Sequence, residues 1–292
     1  MKLIDQALIK RKMGGRLAKN QVFKGIYLLA TLFSLIVLAI LLFRIFTQGY
    51  AYLSWDFLQN FTSVIPEKAG IKAALYGTLW VMAVTIPVSL ILGVGTAIYL
   101  EEYASKNRFT TFIQMNISNL AGVPSIVFGL LGLTIFVRFF DLDRSILAGG
   151  LTMALLILPV IVVASQEAIR SVPGQLREAS YGMGATKWQT IYRVVLPTAV
   201  PGILTGSILA FSRAVGETAP LLVVGAYAAV RYIPDDLLST FTVMPIQIYQ
   251  WAARPQAEFQ TLAAAGIIIL FIILIVMNSI AVLIRNKFSN RY

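Results

Sequence analysis

The sequence predicts an all-α, polytopic membrane protein with six transmembrane helices and both termini in the cytoplasm. Three observations predict it. The 292 residues are 58% hydrophobic and only 13% charged, with a mean hydropathy of +0.79, whereas soluble domains carry about 25% charged residues. The charges are bunched, leaving gaps close to or above the roughly 20 apolar residues needed to cross a hydrocarbon core. Lys and Arg also gather in alternate connecting segments, as cytoplasmic loops require.

The gaps give the spans in order. Lys24 and Arg44 enclose 19 uncharged residues, Lys72 and Glu101 enclose 28, Arg108 and Arg138 enclose 29, and Arg144 and Glu167 enclose 22. A fifth runs from Val194 to Ser212 and a sixth between Glu258 and Arg285. Residues 1–24 form a basic cytoplasmic segment. It could pass for the start of a signal peptide, but the apolar run behind it is too long, so an uncleaved first span, residues 25–46, is expected. That span is plain apolar sequence and reads as peripheral. A seventh stretch, Leu237 to Ala253, contains Ser239, Thr240, Thr242, Pro245, Gln247 and Gln250, and reads as an interfacial or re-entrant piece.

With six spans, the cytoplasmic side holds sixteen basic residues: seven before the first span, two in 101–111, four in 166–197 and three at the C-terminus. External loops hold six, or seven with Arg44. A seventh span would put Arg285, Lys287 and Arg291 on the wrong side. The net charge of +11 follows from this topology and asks for no nucleic acid. There is no cysteine and no histidine, which excludes disulfides, thiolate metal sites and His-based catalysis.

Spans two to five are punctuated by Pro87, by Gly122-Val123-Pro124-Ser125, by Pro159, and by Pro197, Pro201 and Pro220. Such breaks free backbone groups that neighbours or a wet cavity must satisfy, and broken helices often line transport routes. Pro and Gly are also simply common in membrane helices. Both readings stay open, with Gly122–Ser125 the better cavity candidate.

Between spans four and five, residues 166–197 place apolar side chains at Ile169, Val172, Leu176, Ala179 and Met183, the spacing of one helical face. Pro173 interrupts or restarts that helix, Gly184 stops it, and Thr186 with Gln189 forms a capping-box pattern for a new one. A helix–turn–helix is predicted, with Arg170, Arg177, Glu178 and Lys187 on its solvent side. By periodicity alone it is either an interfacial hairpin on lipid headgroups or a docking element for a partner's groove.

Here the sequence resembles a family. Glu178-Ala179-Ser180, Gly184 and Leu196-Pro197 match the EAA-x3-G-x9-I-x-L-P loop of ABC importer permeases, with Ser180 in place of Ala and Val194 in place of Ile. AGIKAALYGTLW, AIYLEEYA, AGVPSIVFGL, LREASYGMGATKWQT and VLPTAVPGILTGSILAFSRAVGETAPLL resemble the PstA-type permeases of bacterial phosphate importers, from about residue 69 to 225. The resemblance implies a type-I ABC importer permease fold over 69–285 in the bacterial inner membrane. It also implies that Glu178, Ala179, Ser180, Gly184, Leu196 and Pro197 couple to an ATPase. The implied partners are a paralogous PstC-type permease, two PstB-type ATPase subunits, a PstS-type extracytoplasmic phosphate-binding protein, inorganic phosphate and membrane lipid. No cofactor is expected on this chain, which lacks a G-x4-G-K-[ST] phosphate loop; ATP belongs to the ATPase.

The run RAVGETAP, 213–220, places two charges at the end of an apolar span. On a continuous helix Gly202, Gly206, Ala210, Arg213 and Glu217 share an arc of about 80°, which puts the charges on the packed, inner face behind a strip of small residues. Each charge at mid-span costs about 2.5–3.5 kcal/mol, so they are paired, hydrated or near the membrane edge. One reading is an ion pair that locks the helix. The other is that Arg213 lines a substrate pathway, its planar fork matching an oxyanion, while Glu217 holds it and re-pairs as the anion leaves. Thr218 and Ser125 are further candidate hydroxyl donors. The expected function is therefore a non-catalytic permease subunit. The alternatives are a PstC-type subunit, a permease for molybdate or sulfate, and a stand-alone channel or secondary transporter. For the last, the inverted repeat that marks such proteins is missing. A membrane-embedded enzyme finds only Glu217 as an in-span base.

Overall fold

A computed structural model describes residues 6–105, 107–226 and 229–289. Lys2, Lys106 and Arg291, counted above for orientation, lie outside the described residues. Among those described, every regular element is helical, and extended pairing is limited to a bridge between Ser145 and Thr240.

Helix α1 (Gln6–Gly49) is continuous over 44 residues, about 66 Å at 1.5 Å per residue and longer than a bilayer with its headgroups. No part of its apolar window is buried. It packs on the last helix, most closely at Gly49, where a Cβ would lie 2.7 Å from the Ala265 nitrogen. After a short α2 (Trp55–Gln59), capped by Ser54, α3 (Lys72–Ile98) runs straight through Pro87 and ends in a wider π-helical turn, Tyr99–Tyr103.

The third expected span is broken. Helix α4 (Arg108–Leu120) meets α5 (Ser125–Gly132, prolonged by Leu133–Phe139) at 105°. Pro124 brings no N–H and disfavours helix at Val123, so the chain turns at Gly122–Pro124. Among the described residues five helices are long and apolar enough to cross a membrane, six when this bent pair counts as one.

The remaining elements are α6 (Ile146–Arg170), α7 (Gly174–Gly182), α8 (Lys187–Thr190), α9 (Leu196–Gly216), α10 (Ala219–Val224), α11 (Met244–Ala252) and α12 (Ala257–Ser289). Helix α8 flows into α9 through another π-helical turn, Ile191–Val195, ahead of Pro197, which cannot donate to the Arg193 carbonyl.

Helix α6 is the centre, with α3 and α9 packed along it. Val81, Met153, Ile157, Ile161, Ala214 and Phe241 meet in the main core. Thr85 of α3 donates to the Gly150 carbonyl of α6 at 3.0 Å, a polar tie suited to an apolar bundle. A second cluster joins Phe57, Met244, Trp251 and Leu262 at the end where α3 and α12 begin, and a third joins Val172, Val195, Ala199 and Ile203 at the other end. Within the 237–253 segment, α11 spans nine residues, about 14 Å. That is too short to cross; it is buried against α3 and α12, with the Met244 N–H on the Thr78 hydroxyl at 3.0 Å.

Candidate functional site

Two places carry the predicted residues, one at each end of α9. At its start the hairpin forms as its sequence dictates. α6 ends at Arg170, Pro173 occupies the N-cap of α7, and Gly184 takes the left-handed φ of +83° that ends that helix. The Thr186 hydroxyl accepts from Gln189 N at 3.3 Å while the Gln189 side chain accepts from Thr186 N at 2.8 Å. Glu178 and Ala179 are exposed, as are Leu176, Tyr181 and Met183, the last 83% so. Ser180, the departure from the family pattern, is buried, and its hydroxyl meets that of Thr190 at 2.9 Å. It ties α7 to α8 as an Ala could not. Leu196 and Pro197 open α9, with Leu196 against the Val172–Val195–Ile203 cluster.

The expected solvent face holds at Arg170, Glu178 and Lys187, which are exposed, and fails at Arg177, which is largely buried. Arg170 and Arg177 are not free charges: Arg170 is paired with Glu101 and Glu167, and Arg177 with Glu102. Glu101 and Glu102 sit at the end of α3, about seventy residues earlier (separations of 69 and 75). Helical periodicity within 166–197 cannot see them. The available signal was two adjacent carboxylates closing an apolar span.

At the far end of α9, the small-residue strip packs on α6. A Cβ at Gly202 would lie 2.8 Å from that of Ala168, one at Gly206 would collide with Ala164, and Ala210 is 2% exposed. Arg213 sits in the last turn, where a cation suits the helix dipole. The helix stops at Gly216, and Glu217 is extended at φ −75°, ψ 130°. Pro220 at the start of α10 explains the stop, since its ring is tolerated in a first turn but not inside a continuing helix. The expectation of one unbroken helical face through Glu217 therefore fails, and the Arg213 side chain is 54% exposed in the single chain. The pair still forms: Arg213 Nε donates to Glu217 Oε1 at 3.2 Å, with Glu217 18% exposed.

Thr218 follows directly, at the N-cap of α10, without a side-chain capping bond. Ser125 is the first residue of α5, half-buried. Among the described residues neither hydroxyl bonds to Arg213 or Glu217. The two breaks, Gly122–Pro124 and Glu217–Thr218, nevertheless belong to one packed pair, α5 and α10. There Gly129 lets Pro220 approach so closely that a Cβ would lie 2.8 Å from the Pro220 Cα. Among the described residues no group of three or more acidic side chains is placed to hold a metal ion.

This arrangement of a broken helix pair and an exposed hairpin can be compared with known proteins. Residues 89–290 match the family described as "Binding-protein-dependent transport system inner membrane component". The chain belongs to this family. It is 36% identical to the "Phosphate transport system permease protein PstA 1" of Mycobacterium tuberculosis, covering 94% of this chain and 91% of that one. It is 32% identical to the "Phosphate transport system permease protein PstA" of Yersinia pestis, over 95% and 94%. The fold is that of a permease in a bacterial alginate ABC transporter solved with its alginate-bound periplasmic protein (TM-score 0.66, 17% identity, 91% of this chain and 94% of that one). The permease is thus a multi-pass inner-membrane component of ABC-importer architecture.

Proposed function

We propose that this chain is one permease half of an ATP-driven importer of inorganic phosphate and has no catalysis of its own. The observation that carries the reading is Arg213. Its guanidinium is half exposed at the end of a span, beside a helix break, with the Glu217 carboxylate as its side-chain partner among the described residues. The phosphate importers' permeases named above, similar over nine-tenths of the chain, support phosphate as the anion.

The termini and the 171–195 hairpin face the cytoplasm by the positive-inside rule. The partners are a paralogous permease subunit, two ATPase subunits that hold ATP, and an extracytoplasmic phosphate-binding protein. Phosphate released from that protein exchanges for Glu217 on the Arg213 fork. Glu217 re-pairs behind the departing anion, since a pathway must release as well as attract. A carboxylate also accepts a hydrogen bond from protonated phosphate and repels sulfate, which carries no proton at neutral pH.

The test is ATP-driven uptake by the assembled importer in proteoliposomes, with labelled phosphate challenged by sulfate or molybdate. Phosphate uptake that resists both competitors is expected. Uptake of sulfate or molybdate in its place would overturn the substrate.

A further inference from the structure

Three successive residues at the end of α3 touch the end of α6 and the hairpin: Glu101 meets α6, and Glu102 and Tyr103 meet the hairpin. Glu101 accepts from Arg170 Nε and Nη2 at 2.9 and 2.7 Å and from Gln166 Nε2 at 2.9 Å. Glu102 accepts from Arg177 Nη2 and Nε at 3.0 and 3.3 Å. Lys187 Nζ lies 4.9 Å from the centroid of the Tyr103 ring.

Burial separates the second pair from ordinary surface pairs: the Glu102 and Arg177 side chains are 9% and 22% exposed. Arg177 also donates to the Ile169 and Val172 carbonyls at 2.9 and 2.7 Å, at the end of α6 where helical partners run out. One guanidinium thus joins the end of α3, the end of α6 and the first turns of α7. The chain between α6 and α7 is only Ser171–Pro173. Without that joint this short break is a hinge that would absorb any push on the hairpin. With it, the hairpin is fastened to α3, a bar of 27 residues whose opposite end holds Met244 through Thr78.

We propose that Glu102 and Arg177, supported by Glu101 and Arg170, are positioning residues that lock the hairpin to α3, so that a displacement imposed by the ATPase moves α3 with it. The proposal rests on the importer reading. It assigns these four side chains neither to the anion nor to the ATPase, but to the joint between hairpin and bundle.

The test uses the whole importer in proteoliposomes and reads two quantities, ATP hydrolysed and labelled phosphate taken up. For Glu102→Gln, phosphate moved per ATP falls about three- to thirtyfold while hydrolysis continues. A merely structural defect would instead lower both in proportion. Arg177→Gln does the same, and the double variant is no worse than the poorer single one, because both singles break one joint. An unchanged ratio in an assembled Glu102→Gln complex, a proportional loss of both activities, or fully additive losses in the double would each overturn the proposal. Should Glu102→Gln fail to assemble, Glu102→Asp is read in the same way, since it keeps the charge but withdraws the carboxylate by one methylene. If the wild type hydrolyses ATP yet takes up no phosphate, the substrate reading fails separately. The joint is then read from the stimulation of hydrolysis by the binding protein, which Glu102→Gln abolishes if the proposal holds and leaves intact if it does not.

Discussion

Two of the arginine–glutamate pairs, Arg177–Glu102 and Arg213–Glu217, are built from the same groups in opposite ways. Arg177 and Glu102 are largely buried, come from elements 75 residues apart, and the arginine holds two backbone carbonyls besides. Arg213 and Glu217 are four residues apart, meet through one bond of 3.2 Å, and leave the guanidinium 54% exposed. A buried pair whose partner is removed strands a charge, whereas an exposed pair contributes about 0–1 kcal/mol. The first suits a fixed joint and the second suits exchange with an incoming anion. Each can be broken separately, and the sizes of the effects distinguish them.

The largest loss of stability is expected for Arg177→Ala. It leaves Glu102 and two carbonyls without their donor and costs about 3 kcal/mol, to be read as a lowered unfolding midpoint of the detergent-solubilised protein. Ser180→Ala restores the family's alanine but leaves the buried Thr190 hydroxyl alone, for about 1–2 kcal/mol in the same measurement. A neutral result would mean that Thr190 finds another acceptor. Thr186→Ala removes one half of the capping box and costs about 1 kcal/mol, seen as faster amide exchange confined to 186–190. Glu217→Gln is the smallest. Being a change in a part-exposed pair, it should alter stability by less than about 1 kcal/mol, and a fall as large as that of Arg177→Ala would make the second pair a lock as well.

The same contrast marks what the sequence makes legible. The hairpin is written locally: Pro173, Gly184 and the Thr186–Gln189 box act within a few residues of themselves, so their positions fix where helices stop and start. The spans follow from charge-free gaps for the same reason, since crossing hydrocarbon is a condition on a contiguous segment. The Glu101 and Glu102 partners of Arg170 and Arg177 depend on α3 lying parallel to α6, with Thr85 beside Gly150 and Glu101 beside Arg170, which no local pattern states. The end of α9 was written in Pro220, but a helical wheel drawn through Glu217 passed over it. The approach of α5 to α10 required the fold, because the packing of Gly129 on Pro220 joins two breaks about ninety residues apart.

The central claim is that Arg213 carries the anion while contributing little to the fold. Its most direct test is ATP-driven phosphate uptake by the assembled importer with Arg213→Gln. Loss of a charge-assisted contact of about 1.5–3 kcal/mol predicts uptake roughly ten- to a hundredfold lower, with the complex still assembled and its unfolding midpoint unchanged. Uptake at the wild-type rate would contradict the claim and leave Arg213 as a structural partner of Glu217.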